Sequence, residues 1–238
     1  MHYIMIAAAV LPALLLGLYI WRKDPHPEPF QWVFRAFLAG VIICLPVASI
    51  EQYIQHILFG EGGPTTLLGS TTMAFFVAAA PEEGAKLLAL WLLLRKNPHF
   101  DEDFDGIVYA VFISLGFATI ENIGYVIMSG EEWMSTAIMR ALLAVPGHYA
   151  FAIMMGFYYA IYHFVDPSPH IAAKIFLVPF VAHGVYDSIA MSGSVSPIAA
   201  SVCSLVLIYF CIKLQREASR KVNEMITINK QNSLDQNA

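Results

Sequence analysis

The run AAAPEEGAKLLALWLLL, residues 78–94, sets two adjacent glutamates, Glu82 and Glu83, and one lysine, Lys86, inside a stretch that is otherwise apolar. Length decides what that stretch is. Together with the apolar residues before it, it extends over 67–94, and at 1.5 Å per residue a helix of that length crosses the ~30 Å hydrocarbon core of a bilayer. An ionised carboxylate at the centre of such a helix costs roughly 2.5–3.5 kcal/mol unless it is paired or faces a wet cavity. The same anomaly recurs in other apolar runs, at Glu121, His148, His183 and Asp187. Groups that cost so much to place are where function is expected.

The rest of the chain agrees with a membrane reading. Of 238 residues, 58% are hydrophobic and 13% charged, and the mean hydropathy is +0.62. Apolar runs occur at 3–21, 31–50, 67–94, 106–128, 134–164, 171–191 and 195–212. They predict an all-α bundle of seven spans, or eight if the fifth is two pieces. The third and fifth are overlong and contain Pro81 and Pro146, where a kink or break is expected. One transmembrane domain over 1–212 and a polar cytoplasmic tail over 213–238 complete the organisation. The first run has no basic leader or small-residue cleavage site and is expected to stay as a helix. Glu51 to Thr66 is expected to be an outer connection with a short interfacial helix. Cys44, Cys203 and Cys211 lie in apolar runs and suggest neither a disulfide framework nor a CxxC metal site. No basic surface suited to nucleic acid is present.

Lysines and arginines give orientation. Arg22, Lys23, Arg35, Arg95, Lys96, Lys174 and the tail residues Lys213, Arg216, Arg220, Lys221 and Lys230 fall on one side if the spans alternate. The positive-inside rule then puts the N-terminus outside and the tail in the cytoplasm. Arg140, at the edge of a span, reads as an interfacial or snorkelling charge.

Counted from the cytoplasmic ends of their spans, Glu82, Glu83, Glu121, His148, His183 and Asp187 all lie roughly 18–24 Å deep at 1.5 Å per residue. One layer is expected. Glu82 and Lys86, and likewise His183 and Asp187, are four residues apart and share a helical face. A proline just ahead of the glutamates can start a half-helix whose N-terminus favours their ionised forms. Three facing carboxylates cannot all ionise cheaply in a low dielectric, so a shared proton is expected. One of them can then serve as a general base toward water. His183 or His148 can donate to a leaving amine or an oxyanion, and Asp187 can orient His183. Lys86 most simply compensates the glutamate pair. Ser114, Ser188 and Thr119 lie near the layer, but none is in a G-x-S-x-G context.

Three other readings compete. His148, His183 and a glutamate could hold a zinc ion, but HExxH is missing and no histidine pair has i,i+4 spacing, so no cofactor is expected. Glu121 with Asn122 could be an interhelical clamp in a non-catalytic scaffold. Intramembrane Glu, Asp and His chains also serve proton-coupled transporters, although the paired, interrupted halves of such proteins are not visible.

The strings PEEGAK at 81–86, FATIEN at 117–122 and HGVYD at 183–187 resemble the EExxK, FxxxE and HxxxD motifs of the PrsW family. These are bacterial glutamic intramembrane proteases within the superfamily of CAAX-prenyl endopeptidases and bacteriocin-processing relatives. The resemblance implies site-1 cleavage of a single-span anti-sigma factor near the outer face of the cell membrane, as the first step in freeing an extracytoplasmic-function sigma factor. By motif it carries catalytic roles to Glu82, Glu83, Glu121, His183 and Asp187, and makes Lys86 the motif lysine. His148 and Asn122 stand beside them as supporting residues. The prenyl endopeptidases imply that Glu82 activates water while the basic residue holds Glu83. They have histidine where this chain has Glu121 and asparagine where it has Asp187.

Overall fold

Helices follow one another with short connections from end to end. The computed structural model describes residues 2–193 and 197–235, which form helices and turns with no strand among them. The helices are α1 (His2–Lys23), α2 (Phe30–Phe59), α3 (Leu67–Thr72), α4 (Ala80–Leu94), α5 (Asp105–Met128), α6 (Trp133–Met139), α7 (Val145–Ala160), α8 (Pro169–Ser192) and α9 (Pro197–Asp235). Five runs are long and apolar enough to cross a membrane: His2–Lys23, Phe30–Gly62, Asp105–Met128, Gly130–Val165 and Pro169–Ser192. The protein is a multi-pass membrane protein. The expected start of the last span, at 195, and the end of the tail, 236–238, lie outside the described residues.

The two overlong runs that contain Pro81 and Pro146 stay continuous, and the way they do so is specific. A π-helical stretch, Met73–Ala79, joins α3 to α4, and another, Arg140–Ala144, joins α6 to α7. Each ends just ahead of its proline, with Ala80 N–H reaching Phe75 O and Val145 N–H reaching Arg140 O. The wider i→i−5 turn keeps the ladder going up to a residue that can donate no bond of its own. No break exposes a helix N-terminus to Glu82 and Glu83, so the half-helix expectation is corrected. Helix α2 also runs past the expected end of its span, to Phe59, because nothing before Gly60 interrupts it. The expected outer connection shrinks to a turn in which Gly60 and Gly63 take positive φ of 64° and 67°, a conformation that suits glycine.

Helices α5 and α7 form the centre and are buried on nearly every side. Around them, α2 lays down the stripe Val33, Ala36, Gly40, Cys44 and Val47, and α1 the small residues Ala9, Ala13 and Gly17. Small residues let membrane helices approach closely. At the α2–α5 crossing a Cβ on Gly40 would lie 1.8 Å from Ile113 O, and one on Gly116 would lie 2.0 Å from Phe37 O. Helices α5 and α7 meet in the same way, since a Cβ on Gly156 would lie 2.3 Å from Gly106 O. The loops between α1 and α2 and between α4 and α5 share one end of the bundle, where His26 Nδ1 lies 2.7 Å from Glu102 Oε1. Helix α9 continues through the polar 213–235 segment, and Leu214, Ala218, Val222 and Met225 are buried along it.

Candidate active site

Lys86 is the hub. Its ammonium nitrogen lies 2.8 Å from Glu82 Oε2, 2.8 Å from Glu83 Oε1 and 3.2 Å from His148 Nδ1. An ammonium has three N–H donors, so all of them are used inside the site. Phe117, one turn before Glu121, places its ring 4.5 Å under the same nitrogen, and such a contact adds cation–π attraction. Lys86 is 2% exposed and Glu83 1% exposed. Pairing to this degree is what makes charges at such depth tolerable.

The donors and acceptors define the two histidines. Since Lys86 can only donate, His148 Nδ1 accepts, and its Nε2–H then donates to Glu121 Oε2 at 2.9 Å. His148 is therefore neutral in this arrangement. His183 differs, because both of its nitrogens face carboxylates: Nδ1 lies 2.9 Å from Glu83 Oε1 and Nε2 lies 3.2 Å from Asp187 Oδ2. Two acceptors favour the doubly protonated ring. That ring stacks on Phe151 at 4.8 Å, which fixes its plane.

A second layer lies toward the more open side. Arg140 Nη2 lies 2.9 Å from Glu121 Oε2, and Arg140 Nε donates to Asn122 Oδ1 at 2.6 Å. Asn122 Nδ2 in turn donates to Ala9 O at 3.2 Å and so ties this layer to α1. Glu121, Asp187 and Arg140 have side chains 22%, 17% and 15% exposed, more than the hub. Ser114 donates to His148 O at 3.0 Å and Thr119 to Leu115 O at 2.7 Å. Those hydroxyls are spent on the backbone.

All of the residues singled out in the sequence thus come together: Glu82, Glu83, Lys86, Glu121, Asn122, His148, His183 and Asp187. His148, the weakest candidate by motif, bridges the hub to Glu121. Arg140 is the correction. It opens the π-helical stretch and turns inward onto Glu121 and Asn122 of α5 instead of snorkelling. Glu51 was also missed, since it was assigned to an outer loop. It belongs to α2, and its Oε1 is buried without a hydrogen-bond partner.

The profile of the PrsW family, described as "PrsW family intramembrane metalloprotease", matches residues 28–214. The chain belongs to the PrsW family of intramembrane proteases. It is 40% identical over 185 residues to Protease PrsW of Geobacillus kaustophilus, covering 77% of this chain and 78% of the relative. It is 36% identical over 192 residues to Protease PrsW of Bacillus subtilis, covering 79% and 83%. The protein of the same name from Clostridioides difficile is 35% identical over 188 residues, covering 77% of each chain. No solved structure matches.

The family description implies a metal, and the donor set here can be judged on its own atoms. Glu82, Glu83 and His183 each bring a ligand atom within 4.8 Å of the other two. Two carboxylates and an imidazole are suitable zinc donors in type and number. The set fits a divalent cation once Lys86 gives way, because its ammonium stands between the same two carboxylates.

Proposed function

We propose that this protein is a bacterial cytoplasmic-membrane endopeptidase that hydrolyses a peptide bond in a single-span membrane protein, with water activated by Glu82. The observation that carries this reading is the asymmetry of the glutamate pair. Glu83 Oε1 accepts from both Lys86 and His183, whereas Glu82 is held by Lys86 through Oε2 and, among the described residues, makes no hydrogen bond through Oε1. A fixed carboxylate with a free oxygen is suited to take a proton from water. Glu83 and Asp187 hold His183, and Lys86 holds Glu82 in position.

The charge balance supports the same assignment. Glu82, Glu83, Glu121 and Asp187 face Lys86, Arg140 and a protonated His183, with His148 neutral. One negative charge is left over on the glutamate pair, and it passes to the oxyanion of the tetrahedral intermediate when Glu82 takes up the proton of the attacking water. Protonated Glu82 then returns that proton to the leaving amine. Arg140, on the open side, supplies positive charge to the developing oxyanion. A divalent cation held by Glu82, Glu83 and His183 would supply a Lewis acid and a more acidic water at the same place.

By family membership and the distribution of lysine and arginine, we place the N-terminus outside, count seven crossings and put cleavage near the outer face. The substrate is an anti-sigma factor whose loss starts a stress response. The test is cleavage of candidate single-span substrates by the purified protein in liposomes. Wild type should cleave and Glu82→Gln should fall by about 10²-fold or more, the scale of general-base catalysis. Wild-type cleavage by a folded Glu82→Gln protein would refute the assignment. Loss of activity to a strong chelator, with recovery on adding zinc, would replace the metal-free version.

A further inference from the structure

A second set of carboxylates lies at the opposite end of the bundle from the outer turns, and the protease chemistry makes no use of it. The loop from Asp24 to Phe30 reads DPHPEPF, and the loop before α5 reads DEDFD at 101–105. Prolines at 25, 27 and 29 fix φ at alternate positions, so Asp24 and Glu28 are presented by a stiff backbone. Asp24, Glu28 and Asp105 are 5%, 4% and 1% exposed. A carboxylate is seldom buried to this degree without a cation or a full set of donors.

These carboxylates converge. Asp24, Glu102 and Asp105 bring ligand atoms within 4.8 Å of one another, and so do Glu28, Asp101 and Asp105. Asp105 is common to both triads. Among the described residues, no ion pair joins Asp24, Glu28 or Asp105 to a lysine or arginine, and the exposed His26 pairs with Glu102. Part of each carboxylate is satisfied. Asp24 Oδ1 accepts from His26 N–H at 2.9 Å, Asp105 Oδ2 accepts from the amides of Glu102 and Asp101 at 2.7 and 3.1 Å, and Tyr109 donates to Glu28. Among the described residues no donor reaches Asp24 Oδ2 or Asp105 Oδ1, both of them buried, and Asp105 meets the carboxyl of Glu28 instead. Buried acidic oxygens that no donor reaches, inside a cluster of hard oxygen donors, are suited to a cation.

We propose that Asp24, Glu28, Glu102 and Asp105, with Asp101 at the edge, bind a divalent cation of the magnesium or calcium class that ties the α1–α2 loop to the α4–α5 loop. Hard cations take carboxylate oxygens, and no sulfur or deprotonated imidazole is needed here. The site is separate from the Glu82, Glu83 and His183 triad and does not depend on how the protease cuts its substrate. Its rival is a proton shared between carboxylates.

The test uses the full-length protein in detergent, stripped with EDTA, and follows thermal unfolding by tryptophan fluorescence. Trp21 reports locally, since its Nε1 donates to Glu28 O at 3.1 Å. Adding magnesium, calcium or manganese chloride should raise Tm saturably, by about 3–6 °C at tenfold the Kd. Glu82→Gln should show the same rise, and Asp24→Asn with Asp105→Asn should not. If that double variant does not fold, Glu28→Gln and Glu102→Gln should each move the half-saturating concentration upward by about fivefold or more. No rise with any of the three cations up to about 10 mM overturns the proposal. So does a rise that survives in the Asp24 and Asp105 variants, or one that disappears in Glu82→Gln. Wild-type and asparagine variants that are equally stable and equally indifferent to cations would identify the shared proton instead.

Discussion

Substituting Gly40 by alanine should act on the active site from the α2–α5 crossing. A Cβ at that position would sit 1.8 Å from Ile113 O and 2.8 Å from Phe117 N. A carbon and a carbonyl oxygen rest no closer than about 3.3 Å, so α2 and α5 must separate by roughly 1.5 Å. The obstacle is backbone, so no rotamer can absorb the shift. Helix α5 carries Glu121 two turns beyond Ile113, and the 2.9 Å bond from His148 Nε2 to Glu121 would open past hydrogen-bonding distance. Overpacking costs about 1–3 kcal/mol and losing a hydrogen bond to a charged group about 1.5–3, which together give roughly 2.5–6 kcal/mol. A displacement of this size should slow cleavage by about 10²-fold. Thermal unfolding in detergent and cleavage of a single-span substrate measure the two effects. Gly124→Ala on α5 is the control, because nothing lies within 4 Å of its Cβ and a helical glycine with room for the methyl gains up to about 1 kcal/mol on becoming alanine. A Gly40→Ala protein with wild-type Tm and wild-type cleavage would show that the helices do not meet as described.

Other perturbations separate the parts of the site. Lys86→Met should cost about 3–5 kcal/mol by leaving Glu82 and Glu83 buried without their cation; adding Glu83→Gln should recover part of the Tm but none of the cleavage. Arg140→Gln should leave the fold intact, since the residue is partly exposed, while lowering cleavage by about tenfold or more as Glu121 loses its guanidinium; unchanged kinetics would return Arg140 to a surface role. Truncation after Lys213 removes the buried Leu214, Val222 and Met225, worth about 1.5–3 kcal/mol each, and should lower Tm sharply by the same unfolding assay.

Much of the site was legible in the sequence because its elements obey local geometry. Glu82, Glu83 and Lys86 are three and four residues apart, as are His183 and Asp187 at four, and helical periodicity alone puts each group on one face. Depth counting brought the two faces and Glu121 to one level. Arg140 escaped because it opens a π-helical stretch, and no periodicity rule anticipates one. His148 was underrated for a related reason: its value lies in touching Lys86 and Glu121 on two other helices, which spacing cannot reveal. The reach of α2 to Phe59 was hidden by Glu51, which looks like a loop residue until the helix is seen to bury it. The close crossings at Gly40 and Gly116 were equally silent, since a glycine in an apolar run carries no mark of the helix against it.

The π-helical stretch ahead of Pro81 also bears on how such a chain can vary. It holds more residues than an α-helix would need for the same rise, so removing one residue within 73–79 could turn it into ordinary α-helix. The segment upstream would keep its facing, where the same deletion in an ordinary α-helix would rotate it by about 100°, one residue's share of a 3.6-residue turn, and α4 and its glutamates would keep their place on Lys86. The segment therefore works as a slip joint: the part of this run ahead of Pro81 can gain or lose a residue over evolutionary time without Glu82 and Glu83 registering the change.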